Sequence, residues 1–295
     1  MSDTILQRLL SRWWIRIIAF IFLTAITTFV LLMSGLSVEE NVLVYGVLLS
    51  ISFLIESMRQ GGSPSTLGFH WSRFTLQEFL FGVAISLGSL CLLAVIGILA
   101  GATIGKTLYN DGFVSFIVVS SIIVLFAIGE EFIFRGIIFQ SLIERFNPTV
   151  VTIISSVLFA SAHLLNPNIS IIGFINIFLA NLLLCTLYLR TTSLIAPITY
   201  HAVWNWGQHV LLGSPISGLH FGISIYKVDF SATPSSIQWL FADSFGVEQG
   251  ILTTIFLIVS ILLSNYYLKQ SPYIAAKLFH RQIEESKLQS VSING

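Results

Sequence analysis

The sequence predicts an all-α fold: a polytopic membrane helical bundle of about eight transmembrane helices, with both termini cytoplasmic. Composition is the first reason. Only 9% of the 295 residues are charged and 55% are hydrophobic, whereas a soluble chain carries about a quarter charged residues. Mean hydropathy is +0.89, so lipid is the expected solvent. The second reason is the recurrence of apolar runs that can cross about 30 Å of hydrocarbon at about 1.5 Å per residue. The third is a loop-by-loop alternation of Lys and Arg. A formal net charge of +0 leaves no basic field for nucleic acid. No glycine-rich phosphate loop points to a nucleotide either; Gly61-Gly62-Ser63-Pro64-Ser65 reads as a turn.

Taken in order, the expected spans are 13–33, 41–56, 76–102, 113–136, 149–165, 169–189, 194–212 and 250–268. The first follows Arg8 and Arg12 and carries Arg16 in its first turn, much as a signal peptide follows its cations, but it is too long and lacks an A-x-A site, so it is read as a retained helix. The second and fifth are short, and the fourth can run on to Arg145. Cys91 and Cys185 fall inside spans and read as small core residues. Cations mark alternate loops: Arg59 and Arg73 after the second span, Arg145 after the fourth, Arg190 after the sixth, and Lys269, Lys277, Arg281 and Lys287 after the eighth. The opposite loops carry Glu39, Glu40 and only Lys106 and Lys227 as cations. The positive-inside rule then places both termini in the cytoplasm of a multi-pass cell-membrane protein. The whole chain, 1–295, reads as one membrane domain, with a long external connection at 213–249 that is expected to fold over the bundle mouth.

Ionisable groups inside a membrane cost roughly 2.5–3.5 kcal/mol each, and the fourth span carries three: Glu130, Glu131 and Arg135. Glu131 and Arg135 share a helix face at i,i+4 and can pair, which leaves Glu130 free. A purely structural ionic cluster would not need that extra carboxylate. The fifth span ends in Phe159-Ala160-Ser161-Ala162-His163, and the seventh holds His201-Ala202-Val203-Trp204-Asn205. A lone histidine in a span, such as His209, is more often a hydrogen-bonded core residue than a catalyst, and His70 alone carries no argument. Depth changes the weighing. Glu130 lies 17 residues before Asn147 and His163 lies 16 after it, while Asn205 lies 15 after Arg190. Two helical hairpins therefore bring Glu130, His163, His201 and Asn205 into one layer. A free carboxylate, two imidazoles and an amide in a dry pocket can activate water and stabilise an oxyanion, so hydrolysis fits best. Ser161 and Cys185 find no partner for nucleophilic catalysis, and the H-E-x-x-H zinc signature is absent. Glu130, His163 and His201 from three helices could hold a divalent metal such as zinc or act without one.

These residues resemble a known family. Glu130-Glu131 with Arg135 matches the E-E-x-x-x-R motif of the CPBP membrane peptidases (CAAX protease and bacteriocin-processing, or Abi). Phe159 with His163 matches F-x-x-x-H, and His201 with Asn205 matches H-x-x-x-N. The motif region spans 113–210, and the chain is most similar to bacterial members. The resemblance implies a glutamate- or metal-dependent endopeptidase acting on a membrane-associated peptide or protein. It implies that Glu130 activates water with His163 and that His201 and Asn205 support an oxyanion or a metal. It places Glu131 within the catalytic set and gives Arg135 and Phe159 supporting roles.

Two other classes compete. A proton- or metal-coupled transporter also carries ionisable groups at mid-membrane, but it would show helices broken at corresponding places in two halves. A non-catalytic bacteriocin-immunity or peptide-binding membrane protein would keep the pocket without turnover. Topology itself is testable. Reporters fused after Arg73, Arg145 and Lys277 should read cytoplasm, and those after Glu40 and Lys227 the outside; an outside reading at Lys277 would remove a helix from the count.

Overall fold

The computed structural model describes residues 4–33, 41–58, 68–69, 74–106, 112–241 and 244–268. Glu39, Glu40, Arg59, the 61–65 turn, His70, Arg73, Lys269, Lys277, Arg281 and Lys287 lie outside them. A short amphipathic α1 (Ile5–Leu10) opens on a capping box, in which Thr4 and Gln7 exchange side-chain and backbone hydrogen bonds. Then follow α2 (Trp13–Met33), α3 (Asn41–Met58), α4 (Thr75–Leu99), β1 (Thr103–Lys106) and α5 (Gly112–Glu131). A π-helical segment (Phe132–Ile138) joins α5 to α6 (Phe139–Ile143). The series continues with α7 (Pro148–Ala162), α8 (Ile171–Thr191), α9 (Ile195–Trp206) with a π-turn (Gly207–Leu211), β2 (Tyr226–Asp229) and α10 (Ile251–Tyr267).

Each expected span coincides with a helix, and the shifts at the edges have local causes. The fourth does not stop at 136: apolar helix runs from Phe113 to Ile143, bent where Gly136 leaves helical geometry. The third ends at Leu99, because β1 takes up 103–106 and pairs antiparallel with β2 from the 213–249 connection, Ile104 opposite Val228. The fifth is short because Asn147 caps Thr149 N–H at 2.9 Å with Pro148 at the first position, and His163 closes the other end. Among the described residues, Thr75–Leu99, Phe113–Ile143 and Ile171–Thr191 are long and apolar enough to cross a membrane, and Trp13–Thr27, Pro148–Ala162 and Ile251–Tyr267 form shorter apolar helices.

The bundle is turned inside out relative to a soluble domain. Ile18, Phe22 and Phe29 of α2, Leu76 and Leu80 of α4, Ile153 and Val157 of α7 and Leu262 of α10 are exposed, while Glu131, Arg135, Asn181 and Gln208 are fully buried. Cys185 is buried as expected. Cys91 is not, because its position on α4 points away from the bundle, and both thiols are free.

The main apolar core joins α4, α8, α9 and α10 through Leu90, Leu93, Leu183, Leu187, Tyr200 and Leu257. A second cluster, Phe132, Phe139, Val151 and Tyr188, sits where the π-segment meets α7 and α8. Polar clamps set the helix ends. Arg16 of α2, buried, bonds Ser141 at 3.0 Å and pairs with Glu144, which brings the start of α2 to the α6–α7 turn. Arg190 at the end of α8 bonds Asn265 of α10.

Helix α4 lies against α9 through Gly82, where a Cβ would come within 3.0 Å of the Ala196 carbonyl and of Thr199. Backbones this close are how membrane helices gain contact without a hydrophobic drive. Gly82→Val should therefore force the helices apart and cost about 1–3 kcal/mol, read as a lower thermal midpoint in detergent. An unchanged midpoint would contradict this packing.

Candidate active site

Glu130 and Glu131 end α5 as neighbours in opposite environments. The Glu131 side chain is 0% exposed and that of Glu130 25%. Successive helical residues diverge by about 100°, so only one of the two faces the interior of the bundle. Glu131 Oε1 accepts from Arg135 Nη1 at 2.8 Å and from His201 Nδ1 at 2.8 Å. Arg135 continues the chain to the Asn181 side-chain oxygen on α8. Asn181 in turn donates to Ser156 Oγ at 3.0 Å and Ser155 Oγ at 3.3 Å on α7. Four helices are thus tied together behind the site.

In front of this network is a cavity of about 870 Å³, counting its mouth. Glu130, Phe159, His163, His201 and Asn205 all line it, so the four polar residues that the depth count puts in one layer meet in one cavity. Glu131 does not. It reaches the cavity only through His201, because its helix position turns it into the bundle and both its partners lie there. Among the residues expected to be catalytic, it alone stands behind the wall.

Hydrogen bonding orients the two imidazoles. His163 Nδ1 lies 2.8 Å from the Phe159 carbonyl, which can only accept, so Nδ1 donates and the ring is held through that edge. His201 Nδ1 donates to the Glu131 carboxylate in the same way, and its Nε2 faces Glu130 Oε2 at 3.7 Å. Phe159 is the spacer: its ring is 4.8 Å from that of His163 and 6.3 Å from that of His201, and the Arg135 guanidinium lies over it at 5.2 Å. The Asn205 amide makes no hydrogen bond among the described residues and is available to a ligand.

Two of the three motif-bearing helices loosen at their motifs, α5 into the Phe132–Ile138 π-segment that itself carries Arg135, and α9 into the Gly207–Leu211 π-turn just beyond Asn205. Such segments recur at functional sites because they re-aim side chains.

The 213–249 connection supplies part of the cavity wall. Ile216, Ser217, Leu219, Phe221 and Glu248 line the cavity. Glu248 was missed by sequence reasoning. The signal was present as a carboxylate inside an otherwise uncharged stretch, Phe245-Gly246-Val247-Glu248-Gln249-Gly250, leading into the last span. Burial pushes its carboxyl above the usual range, while hydrogen bonds from Ser217 and the nearby His163 and His201 pull the other way. Asn181, the joint of the buried network, carried no sequence signal.

The residues do not fit a metal. Among the described residues no group of three His, Cys, Asp or Glu side chains is disposed to hold an ion, so Glu130, His163 and His201 share a wall without forming a ligand set.

Residues 111–207 match a family described as Rce1-like, type II CAAX prenyl endopeptidase Rce1-like. That segment runs from just before α5 to the end of α9 and holds all three motifs. It bears out the resemblance to CPBP peptidases and stops short of Glu248. No curated protein and no solved structure matches the chain.

A buried pair broken on one side leaves an uncompensated charge, which costs about 3–5 kcal/mol. Glu131→Gln should accordingly lower protein abundance and thermal stability well below those of Glu130→Gln, whose side chain has no buried partner of that kind. Equal losses in quantitative immunoblots and melting curves would undo this division of labour.

Proposed function

We propose that this chain is an intramembrane endopeptidase that hydrolyses a peptide bond of a membrane-associated peptide or protein with water activated by Glu130 and His163. The observation that carries the reading is the split between Glu130 and Glu131. One carboxylate is consumed by Arg135 and His201, and the adjacent one is left facing the cavity beside two imidazoles that are each held through Nδ1. The Rce1-like match over 111–207 supports the same class of activity. The proposed setting is a bundle of about eight spans with both termini cytoplasmic, in which the motif helices at 113–210 form the catalytic core and 213–249 lies on the outer side.

In the proposed reaction a water held between Glu130 and His163 Nε2 loses a proton to the Glu130 carboxylate. Its oxygen forms a bond to the substrate carbonyl carbon as the carbonyl electron pair moves to oxygen. The oxyanion accepts from the Asn205 amide and from protonated His201, whose charge lies between the Glu130 and Glu131 carboxylates. Collapse of the adduct breaks the C–N bond, and the proton on Glu130 passes to the departing amine. Glu131 and Arg135 are positioning residues here: they hold the His201 ring and do not touch substrate. Ile123, Phe126, Ile177, Leu184 and Leu257 surround the polar cluster with apolar wall, which suits a substrate arriving from lipid.

Glu130→Gln keeps the side-chain size and removes the base. The variant should insert and bind substrate yet release peptide about 10²- to 10⁴-fold more slowly, measured by mass spectrometry of membrane peptides from cells and from reconstituted protein. His163→Ala should behave alike, and the double variant should be hardly worse than either single. Wild-type cleavage by purified Glu130→Gln protein would end the peptidase reading; protection against a bacteriocin that survives the loss of cleavage would favour a peptide-binding immunity role.

A further inference from the structure

Glu248 stands across the cavity from the motif residues and is held with more precision than a loop carboxylate requires. Ser217 donates to its Oε2 twice, from the backbone N–H at 2.8 Å and from Oγ at 2.9 Å. Its own carbonyl accepts from Asn176 Nδ2 of α8 at 2.6 Å, and the same amide group bonds the Gly250 carbonyl and accepts from Thr254 Oγ1 of α10. Ser217 sits at φ 48°, a left-handed conformation that a serine seldom adopts and that turns both its donors toward one oxygen. Gly218 N–H, the next donor, bonds the Phe245 carbonyl at 2.8 Å and knits the two loop segments together. Carboxylate Oε1 takes no hydrogen bond among the described residues.

No Lys or Arg balances it from the cavity wall. The cavity-lining residues include Glu130 and Glu248 but neither Lys nor Arg, and the two histidines are positive only when protonated. Two donors on Oε2 favour the ionised carboxylate, whereas burial beside Ile216, Leu219 and Leu257 of the same wall opposes it and holds the carboxyl above the usual range. A carboxylate preorganised in this way, with no Lys or Arg in the cavity wall, gains an ion pair from a cationic occupant.

We propose that Glu248, oriented by Ser217, is a subsite for a cationic group of the substrate, an alkylammonium supplied either by a lysine side chain or by a free peptide α-amine. The inference deepens the peptidase reading and rests on it for the word substrate. It also bears on selectivity: a positively charged group entering this cavity meets the Glu130 and Glu248 carboxylates and neither Lys nor Arg, so the subsite favours a peptide that presents positive charge here.

Binding can be tested apart from turnover. The full-length protein in detergent is titrated with hexylammonium, hexanol and hexanoate, following thermal midpoint and Trp fluorescence, since Trp204 lines the cavity. Hexylammonium should bind roughly 10- to 100-fold more tightly than hexanoate to wild type and to Glu130→Gln. Glu248→Gln should lose that preference while still binding hexanol, which certifies an intact cavity. Should Glu248→Gln not fold, the wild-type order of the three ligands and a weakened preference in Ser217→Ala decide instead. An unchanged preference in Glu248→Gln, or hexanoate binding as well as hexylammonium in wild type, overturns the subsite. In a peptide mixture, norleucine in place of lysine should lower cleavage if the side chain is the source, and N-acetylation should lower it if the α-amine is; indifference to both also overturns it. Hexylammonium selectivity without any peptide cleavage would leave the subsite standing and remove the peptidase reading.

Discussion

Much of the interior depends on one buried ion pair, Glu131 with Arg135. In lipid there is little hydrophobic gain in bringing helices together, since acyl chains are as apolar as leucine, so polar contacts and close packing decide which faces meet. This pair is extended by His201 on α9 and by Asn181 on α8, and Asn181 reaches Ser155 and Ser156 on α7. Helix α5 is thereby registered against three others at one depth. An ion pair so deeply buried need not add net stability, since desolvation offsets much of its attraction, but it penalises every arrangement in which one partner is left alone.

The same network determines what the cavity can do. With Glu131 occupied, His201 is held by Nδ1 and presents Nε2; with the Phe159 carbonyl occupied, His163 does likewise. Glu130 is spared because it lies on the other side of the helix. The site therefore has two layers, an inner one that orients and an outer one that faces the ligand. The lid completes it: the β1–β2 pairing anchors the 213–249 connection to the end of α4, and Asn176 and Ser217 fasten its last turn to the cavity wall. A loop fixed at both ends can place Glu248 as accurately as a helix places Glu130.

How far the residues themselves reveal this varies with the range of the physics involved. Spans are legible because the length of hydrocarbon to be crossed acts on every helix alike, and the pairing of Glu131 with Arg135 is legible because i,i+4 geometry is local. The convergence of Glu130, His163, His201 and Asn205 follows from counting residues from a turn, and it survives the π-segment because a few altered turns shift depth only slightly. The outward face of Cys91 was not legible, since α4 is apolar all round and its pattern does not say which side meets lipid.

The sequence by itself therefore determined the apolar helices, their order, the paired and the spare carboxylate, and the set of polar residues at one level. Tertiary structure alone decided that Glu131 also holds His201, that Asn181 links Arg135 to α7, and that Glu248 comes back into the site from a loop more than 40 positions beyond Asn205. The physical reason is range. Helix periodicity and membrane thickness act along a continuous segment, whereas contacts between α8, α9 and a folded-back loop depend on how separate segments pack, and packing leaves no periodic trace in any one of them.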